Sequence, residues 1–211
     1  MSAGQGPNDG SNGARTGSVH RETKETQIRL DLNLDGGERK IDVPGGFFAH
    51  MLDALTTHGG LGVDIRATGD THVDLHHTVE DVGICLGDAL VQALGDRRGI
   101  VRFASAYAPL DEALARAVVD ISGRGFFVYN VPPELEHTWV TQDFPLSLIA
   151  DFFQAFADRG RFTLHVDVLR ARNGHHAAEA AFKAVAVALR NALTQRQGST
   201  EMPSTKGTLT V

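Results

Sequence analysis

Apolar positions along this chain switch between a period of two and a period near three and a half, and the switches mark out two similar halves. In the first, Ile28, Leu30, Leu32 and Leu34 alternate with Arg29, Asp31 and Asn33, the pattern of a strand with one buried face. Gly36 and Gly37 turn the chain into a second strand over 40–43, which Pro44-Gly45-Gly46 breaks. Phe47, Met51 and Leu55, with Phe48 and Leu52, then share a helical face, so a helix is predicted over 47–58, stopped by Gly59 and Gly60. Val63 and Ile65 mark another strand and Gly69-Asp70 a turn. From about residue 77 to 94, Val79, Val82, Cys85, Leu86 and Leu90 space a second helix, which Gly95 ends.

The second half repeats this order. Strands are predicted over 115–122 and 126–131, and Pro132-Pro133 then opens a polar loop that contains Trp139. Helical spacing runs from Pro145 through Leu146, Ile149, Phe152, Phe153 and Phe156. Phe162, Leu164, Val166 and Val168 alternate as a strand, Asn173-Gly174 makes a turn, and a helix over 176–192 carries Ala180, Phe182, Val185 and Leu189. Each half therefore reads as a β-β-α-β-α-type unit, and the chain as a duplicated α+β protein with sheet layers packed on helices. Residues 1–18, rich in Gly, Ser and Asn, read as a disordered arm, 19–104 and 105–196 as the two half-repeats, and 197–211 as a C-terminal tail.

Composition narrows the function classes. A formal charge of −6 and a pI near 5.9 argue against nonspecific nucleic-acid binding. Cys85 is the one cysteine, so there is neither a disulfide framework nor a thiolate cluster, and its apolar setting predicts a reduced, packed thiol. No apolar run approaches the roughly 20 residues that span a membrane, and no signal peptide opens the chain, so a soluble cytoplasmic protein is expected.

One motif occurs twice, once at the start of the last helix of each half: His76-His77-x-x-Glu80 and His175-His176-x-x-Glu179. Adjacent helix residues diverge by about 100° and residues four apart by about 40°, so His76 and Glu80 can face one ion while His77 serves another; the same holds for His175, Glu179 and His176. His50 and Asp151 occupy matching places in the two halves and are further candidate ligands. Imidazole and carboxylate without thiolate suit Mn, Fe, Co or Zn. The zincin pattern is absent. Surface histidines at helix starts are the plainer alternative, and His58 at a helix end could simply meet the helix dipole. Candidate anion binders are Arg102, Arg124, Lys183, Ser204 and Lys206. On these residues alone, a binuclear metallophosphatase and a metal-stapled assembly protein remain open beside a metal-dependent enzyme of another kind.

From about residue 21 to 209 the chain resembles imidazoleglycerol-phosphate dehydratase, an enzyme family of histidine biosynthesis. The strings that carry the resemblance are Thr23-Lys-Glu-Thr26, Phe47-Phe-Ala-His-Met-Leu-Asp53, Arg66-Ala-Thr-Gly-Asp70, His76-His-Thr-Val-Glu-Asp81, Pro109-Leu-Asp-Glu112, Asn173-Gly-His-His176, Glu179-Ala-Ala-Phe-Lys183 and Pro203-Ser-Thr-Lys-Gly207. The resemblance implies a fold of the ribosomal protein S5 domain 2-like type. It further implies manganese-dependent dehydration of imidazole glycerol phosphate to imidazole acetol phosphate, with two Mn2+ per active site. Homo-oligomers of 24 chains with sites between subunits are implied as well. One ion would then take His76, Glu80, His176 and Asp151, and the other His50, His77, His175 and Glu179. Of these, His50, His77, Glu80, His176 and Glu179 count as catalytic, together with Glu25, which matches the family's substrate-contacting acid/base. Arg102, Arg124, Lys183, Ser204 and Lys206 fall where the family holds phosphate, and His58 is a further substrate-contact candidate. Two positions depart from the pattern: Asp151 replaces a usual His or Glu, and Ala49 replaces an Asp that would orient His50.

Overall fold

The computed structural model describes residues 13–209. Each half contributes three strands, a helix, a strand and a helix. The first holds β1 (Thr16–Glu22), β2 (Thr26–Asn33), β3 (Arg39–Asp42), α1 (Gly46–Gly59), β4 (Gly62–Gly69) and α2 (His76–Leu94). The second holds β5 (Phe103–Leu110), β6 (Ala113–Asp120), β7 (Phe126–Asn130), α3 (Leu148–Gly160), β8 (Thr163–Arg170) and α4 (Gly174–Leu193). The sheets have the same order, β1-β2-β4-β3 and β5-β6-β8-β7, antiparallel except for the parallel pairs β3/β4 and β7/β8. The duplicated α+β architecture expected from the periodicity is therefore present, with one strand per half more than the simplest reading.

The extra strands shift two expected boundaries. Residues 1–12 of the expected arm lie outside the described residues, but Thr16, Gly17 and Ser18 belong to β1 and pair with Asn33, Leu32 and Asp31 of β2. The second half begins by Phe103, because β5 starts there, and not at 105. Both strands lack the large-apolar alternation that marks a buried face. On β5 the inward positions are Ala106 and Ala108, while Phe103 and Tyr107 point outward. Pro145 does not start a helix either: Trp139 bridges to it, and α3 begins at Leu148.

The halves meet through their helices, α1 against α4 and α2 against α3, so each sheet is covered on its inner face by helices and the core is continuous. Alanines let α4 approach its neighbours closely, with Ala177, Ala181, Ala184 and Ala188 fully buried. The α2–α3 crossing is tighter still. A Cβ on Gly83 would stand 2.6 Å from the Phe152 carbonyl oxygen, and one on Gly87 would stand 2.6 Å from the Gly160 nitrogen. Backbone cannot yield as a side-chain tip can, so both positions require glycine. Cys85 is fully buried, and desolvation pushes its thiol up to about 12, which leaves it protonated and unreactive.

Gly87→Ala is expected to destabilise the fold by about 1–3 kcal/mol, the usual cost of overpacking, seen as a lower thermal midpoint. Gly46→Ala, whose Cβ would meet nothing within 4 Å, is the control and leaves the midpoint unchanged or higher. Equal behaviour of the two variants would contradict the close-approach account.

Candidate metal centre

The cross-half helix contacts bring candidate ligands from different halves together. Asn173 starts α4 by accepting hydrogen bonds from the backbone N–H groups of His175 (2.8 Å) and His176 (3.3 Å), which fixes the first turn that carries both imidazoles. His175 Nε2 lies 3.3 Å from Glu179 Oε2, as i,i+4 spacing on a helix requires. From α1, His50 Nε2 reaches the same oxygen at 3.1 Å. One ligand atom from each of His50, His175 and Glu179 falls within 4.8 Å of the others, the spacing of donors around one ion. Phe47 sets its ring edge-on to both imidazoles. Burial alone would raise the Glu179 carboxyl, but hydrogen bonds from Lys183, at 2.5 Å, and from His50 outweigh it and hold the group at about 2. Glu179 is therefore an anion at neutral pH.

A second cluster joins α2 to α3. His76 Nδ1 lies 3.2 Å from Asp151 Oδ2, and its Nε2 lies 4.0 Å from Glu80 Oε2. The short Asp151 side chain thus reaches His76 directly from the first turn of α3. Beside it opens a cavity of about 540 Å³, walled by Trp139, Val73, Leu75 and Pro145, with His76 on its lining.

His77 and His176 join neither cluster. His77 Nδ1 is 3.0 and 3.2 Å from the two oxygens of Asp70, directly after β4. His176 Nδ1 is 2.8 Å from Glu112 Oε2, directly before β6, and Glu112 Oε1 also accepts the Arg172 backbone N–H at 3.2 Å. The Asp70 hydrogen bond raises the His77 pKa, and the His176 hydrogen bond lowers Glu112 to about 2. In both pairs the carboxylate takes Nδ1, so Nε2 is the ring's other donor atom. Asp70 and Glu112 close two of the strings that carry the resemblance, but neither was given a role there. The available signal was positional, an acidic residue at a strand end in each half, one of them matching Glu25.

Glu25 sits directly before β2. The Thr23 hydroxyl accepts its N–H at 3.1 Å, and its carbonyl accepts the Asp70 N–H at 3.0 Å. Asp81, buried on α2, anchors this turn by binding Thr26 Oγ1 at 2.5 Å and Arg21 Nη2 at 2.9 Å. The Glu25 carboxylate itself is half exposed, 4.0 Å from His77 Nδ1.

The candidate phosphate binders divide between two places. Arg102 forks onto Asp120 at 2.8 and 3.2 Å and donates to the Pro203 carbonyl at 2.9 Å, which draws the tail bearing Ser204 and Lys206 beside it. Ser122 and Arg124 follow Asp120 in the same turn region. Arg102 also donates its backbone N–H to Ala192, near the end of α4. Lys183 stays with Glu179 nearer the start of that helix, and His58 lies on the last turn of α1, about 12 Å along the axis from His50. Neither joins the Arg102 group in this chain.

The sequence profile of imidazoleglycerol-phosphate dehydratase matches residues 44–189. A protein of that name from Albidiferax ferrireducens is 50% identical over 198 residues, covering 93% of this chain and 96% of its own length. One from Acidiphilium cryptum is also 50% identical, covering 93% of this chain and 100% of its own length. Among solved structures, imidazoleglycerol-phosphate dehydratase from Staphylococcus aureus superposes with a TM-score of 0.76 at 37% identity, over 85% of this chain and 99% of the other. The Pyrococcus furiosus enzyme, in complex with (S)-C348, gives 0.77 at 34% identity, over 90% and 99%. On the fold and these matches together, the chain belongs to the imidazoleglycerol-phosphate dehydratase family, hydro-lyases of histidine biosynthesis.

Proposed function

We propose that the chain converts imidazole glycerol phosphate to imidazole acetol phosphate with two Mn2+ ions per active site, as a cytoplasmic homo-oligomer of 24 chains whose sites lie between subunits. The observation that carries this reading is a mismatch within one chain. One cluster holds three donors within 4.8 Å of one another, a second sets Asp151 and Glu80 about different nitrogens of His76, and His77 and His176 bind carboxylates outside both through Nδ1. An octahedral ion that keeps open positions for substrate accepts four protein ligands. His50, His175 and Glu179 would hold one ion with His77 of a second copy, and His76, Glu80 and Asp151 the other with His176 of a second copy. The donor chemistry fits manganese, being neutral imidazole and carboxylate without thiolate.

The phosphate group supports the same division of labour. From His176 to Ala192, where Arg102 binds, α4 runs about 24 Å, far longer than the substrate. Arg102, Arg124, Ser204 and Lys206 of one copy would therefore serve the ions of another, while Lys183 approaches phosphate from the metal side. The outer face of the second sheet is apolar at Phe103, Tyr107, Val118, Phe126 and Leu169, each at least 39% exposed, a surface suited to burial against a further copy.

Two divalent ions, when bound, supply Lewis acidity toward the nitrogens of the substrate ring and lower the cost of placing negative charge there. Glu25 is held at its backbone and half exposed at its carboxylate, which suits it to move the proton at the reacting carbon. The cationic group fixes the phosphate end, so binding energy far from the reaction holds that carbon in place.

Three measurements test this. Imidazole glycerol phosphate with Mn2+ is expected to give the acetol product, lost with chelator and regained with added metal; release of inorganic phosphate instead would refute the reaction. Glu25→Gln should keep metal and assembly but lose about 100-fold or more in turnover, the usual weight of a general acid/base; near-normal turnover would remove its role. His50→Ala and His77→Ala should each be inactive alone and regain part of the activity when unfolded and reassembled together, because some sites then draw both intact residues from different chains. No recovery on mixing would put the two residues in one chain's site.

A further inference from the structure

We propose that Asp70 and Glu112 are positioning residues that aim His77 and His176 at their ions, and that Asp70 takes this duty off Glu25, leaving that carboxylate for the substrate. The inference rests on the metal reading above and adds two residues and a division of roles to it.

The argument comes from comparing the halves. Glu25 directly precedes β2, and Glu112 directly precedes β6, so the two glutamates hold equivalent places in the first hairpin of each half. Asp70 directly follows β4, and the residue that directly follows β8 is Ala171. In the second half, with alanine at the strand end, the hairpin glutamate itself binds the imidazole: Glu112 to His176 Nδ1 at 2.8 Å, its other oxygen held by the Arg172 N–H. In the first half the strand end supplies Asp70, both oxygens of which lie within 3.2 Å of His77 Nδ1. Glu25 then stands back at 4.0 Å, with its side chain 54% exposed against 23% for Glu112. The halves thus hold corresponding imidazoles with carboxylates from different loops, and in the first half the hairpin glutamate stands further from the ring.

Each carboxylate fixes its imidazole with hydrogen on Nδ1 and the lone pair on Nε2, and it sets the ring plane. Without it the ring can rotate or change tautomer, and the ion loses a donor held in place. The effect falls on one class of ion at a time, since His77 and His176 serve different ions.

The test strips metal from the assembled wild-type protein and from Asp70→Ala and Glu112→Ala, then titrates Mn2+ while electron paramagnetic resonance follows the free aqua ion. Wild type is expected to take two ions per chain. Each variant should weaken one of the two classes by about 10–100-fold and leave the other, with the thermal midpoint of the metal-free protein unmoved. With both classes saturated, Asp70→Ala should retain less turnover than Glu112→Ala, because only there is Glu25 drawn onto His77. The isosteric Asp70→Asn and Glu112→Gln, which keep an acceptor oxygen without its charge, should show smaller losses in the same classes. Wild-type protein that binds no Mn2+ would overturn this inference together with the reading beneath it. Two intact classes in every variant, or a lowered midpoint with unchanged Mn2+ affinity, would overturn this inference alone, and equal turnover in the two alanine variants would overturn the release of Glu25.

Discussion

Helix packing across the two halves is the constraint on which the site depends. Neither cluster can form within one half: His50 on α1 meets His175 and Glu179 on α4, and His76 and Glu80 on α2 meet Asp151 on α3. The α2–α3 pair comes close enough because Gly83 and Gly87 present no side chain to the α3 backbone. Widening that crossing by the depth of a methyl group would carry Asp151 out of reach of His76, since a two-carbon side chain has no length in reserve. The same glycines that look like weak points in a helix by propensity are therefore what hold a short carboxylate in contact with an imidazole.

Duplication explains both the likeness of the clusters and their differences. Equivalent helices carry the paired histidines, and equivalent positions on α1 and α3 carry His50 and Asp151. The acidic supports have diverged further than the ligands. A ligand must keep its donor atom near an ion, whereas a support only has to reach Nδ1, and it can do so from either end of the neighbouring strands. That looser requirement is why Asp70 and Glu112 come from different loops and still perform the same hydrogen bond.

Much of this was legible in the order of residues, and the failures have two causes. Strong alternation at Ile28–Leu30–Leu32 and at Leu164–Val166–Val168 marked central strands, and the doubled His-His-x-x-Glu spacing marked which helix starts carry ligands. Strands β1 and β5 escaped notice because their covered faces are small: Gly17 lies against the Ala89 carbonyl, where a Cβ would stand 2.1 Å away, and β5 buries Ala106 and Ala108 while exposing Phe103 and Tyr107. Hydrophobic pattern reports burial of large side chains, so a strand that packs closely on a helix through small ones gives no signal. The roles of Asp70 and Glu112, though both close strings named in the sequence, went unread for a different reason. Their partners lie seven and 64 residues away, and a single carboxylate in a turn has many ordinary explanations until the fold brings it to an imidazole.

The adjacency of the two histidines in each motif has a further consequence on the proposed reading. Because neighbouring helix positions diverge by about 100°, one motif faces its own chain with the first imidazole and away from it with the second. His76 turns to α3 and His77 to the loop beyond β4; His175 turns to α1 and His176 to the β5–β6 turn. The two imidazoles of each motif are thus held by different partners within one chain. An ion that takes three donors from one copy and one from the next binds the associated state better than the separate chains, so metal and assembly stabilise each other by mass action. The sequence feature that first indicated a metal site is, by the geometry of a single helical turn, also an argument that the site is shared between chains.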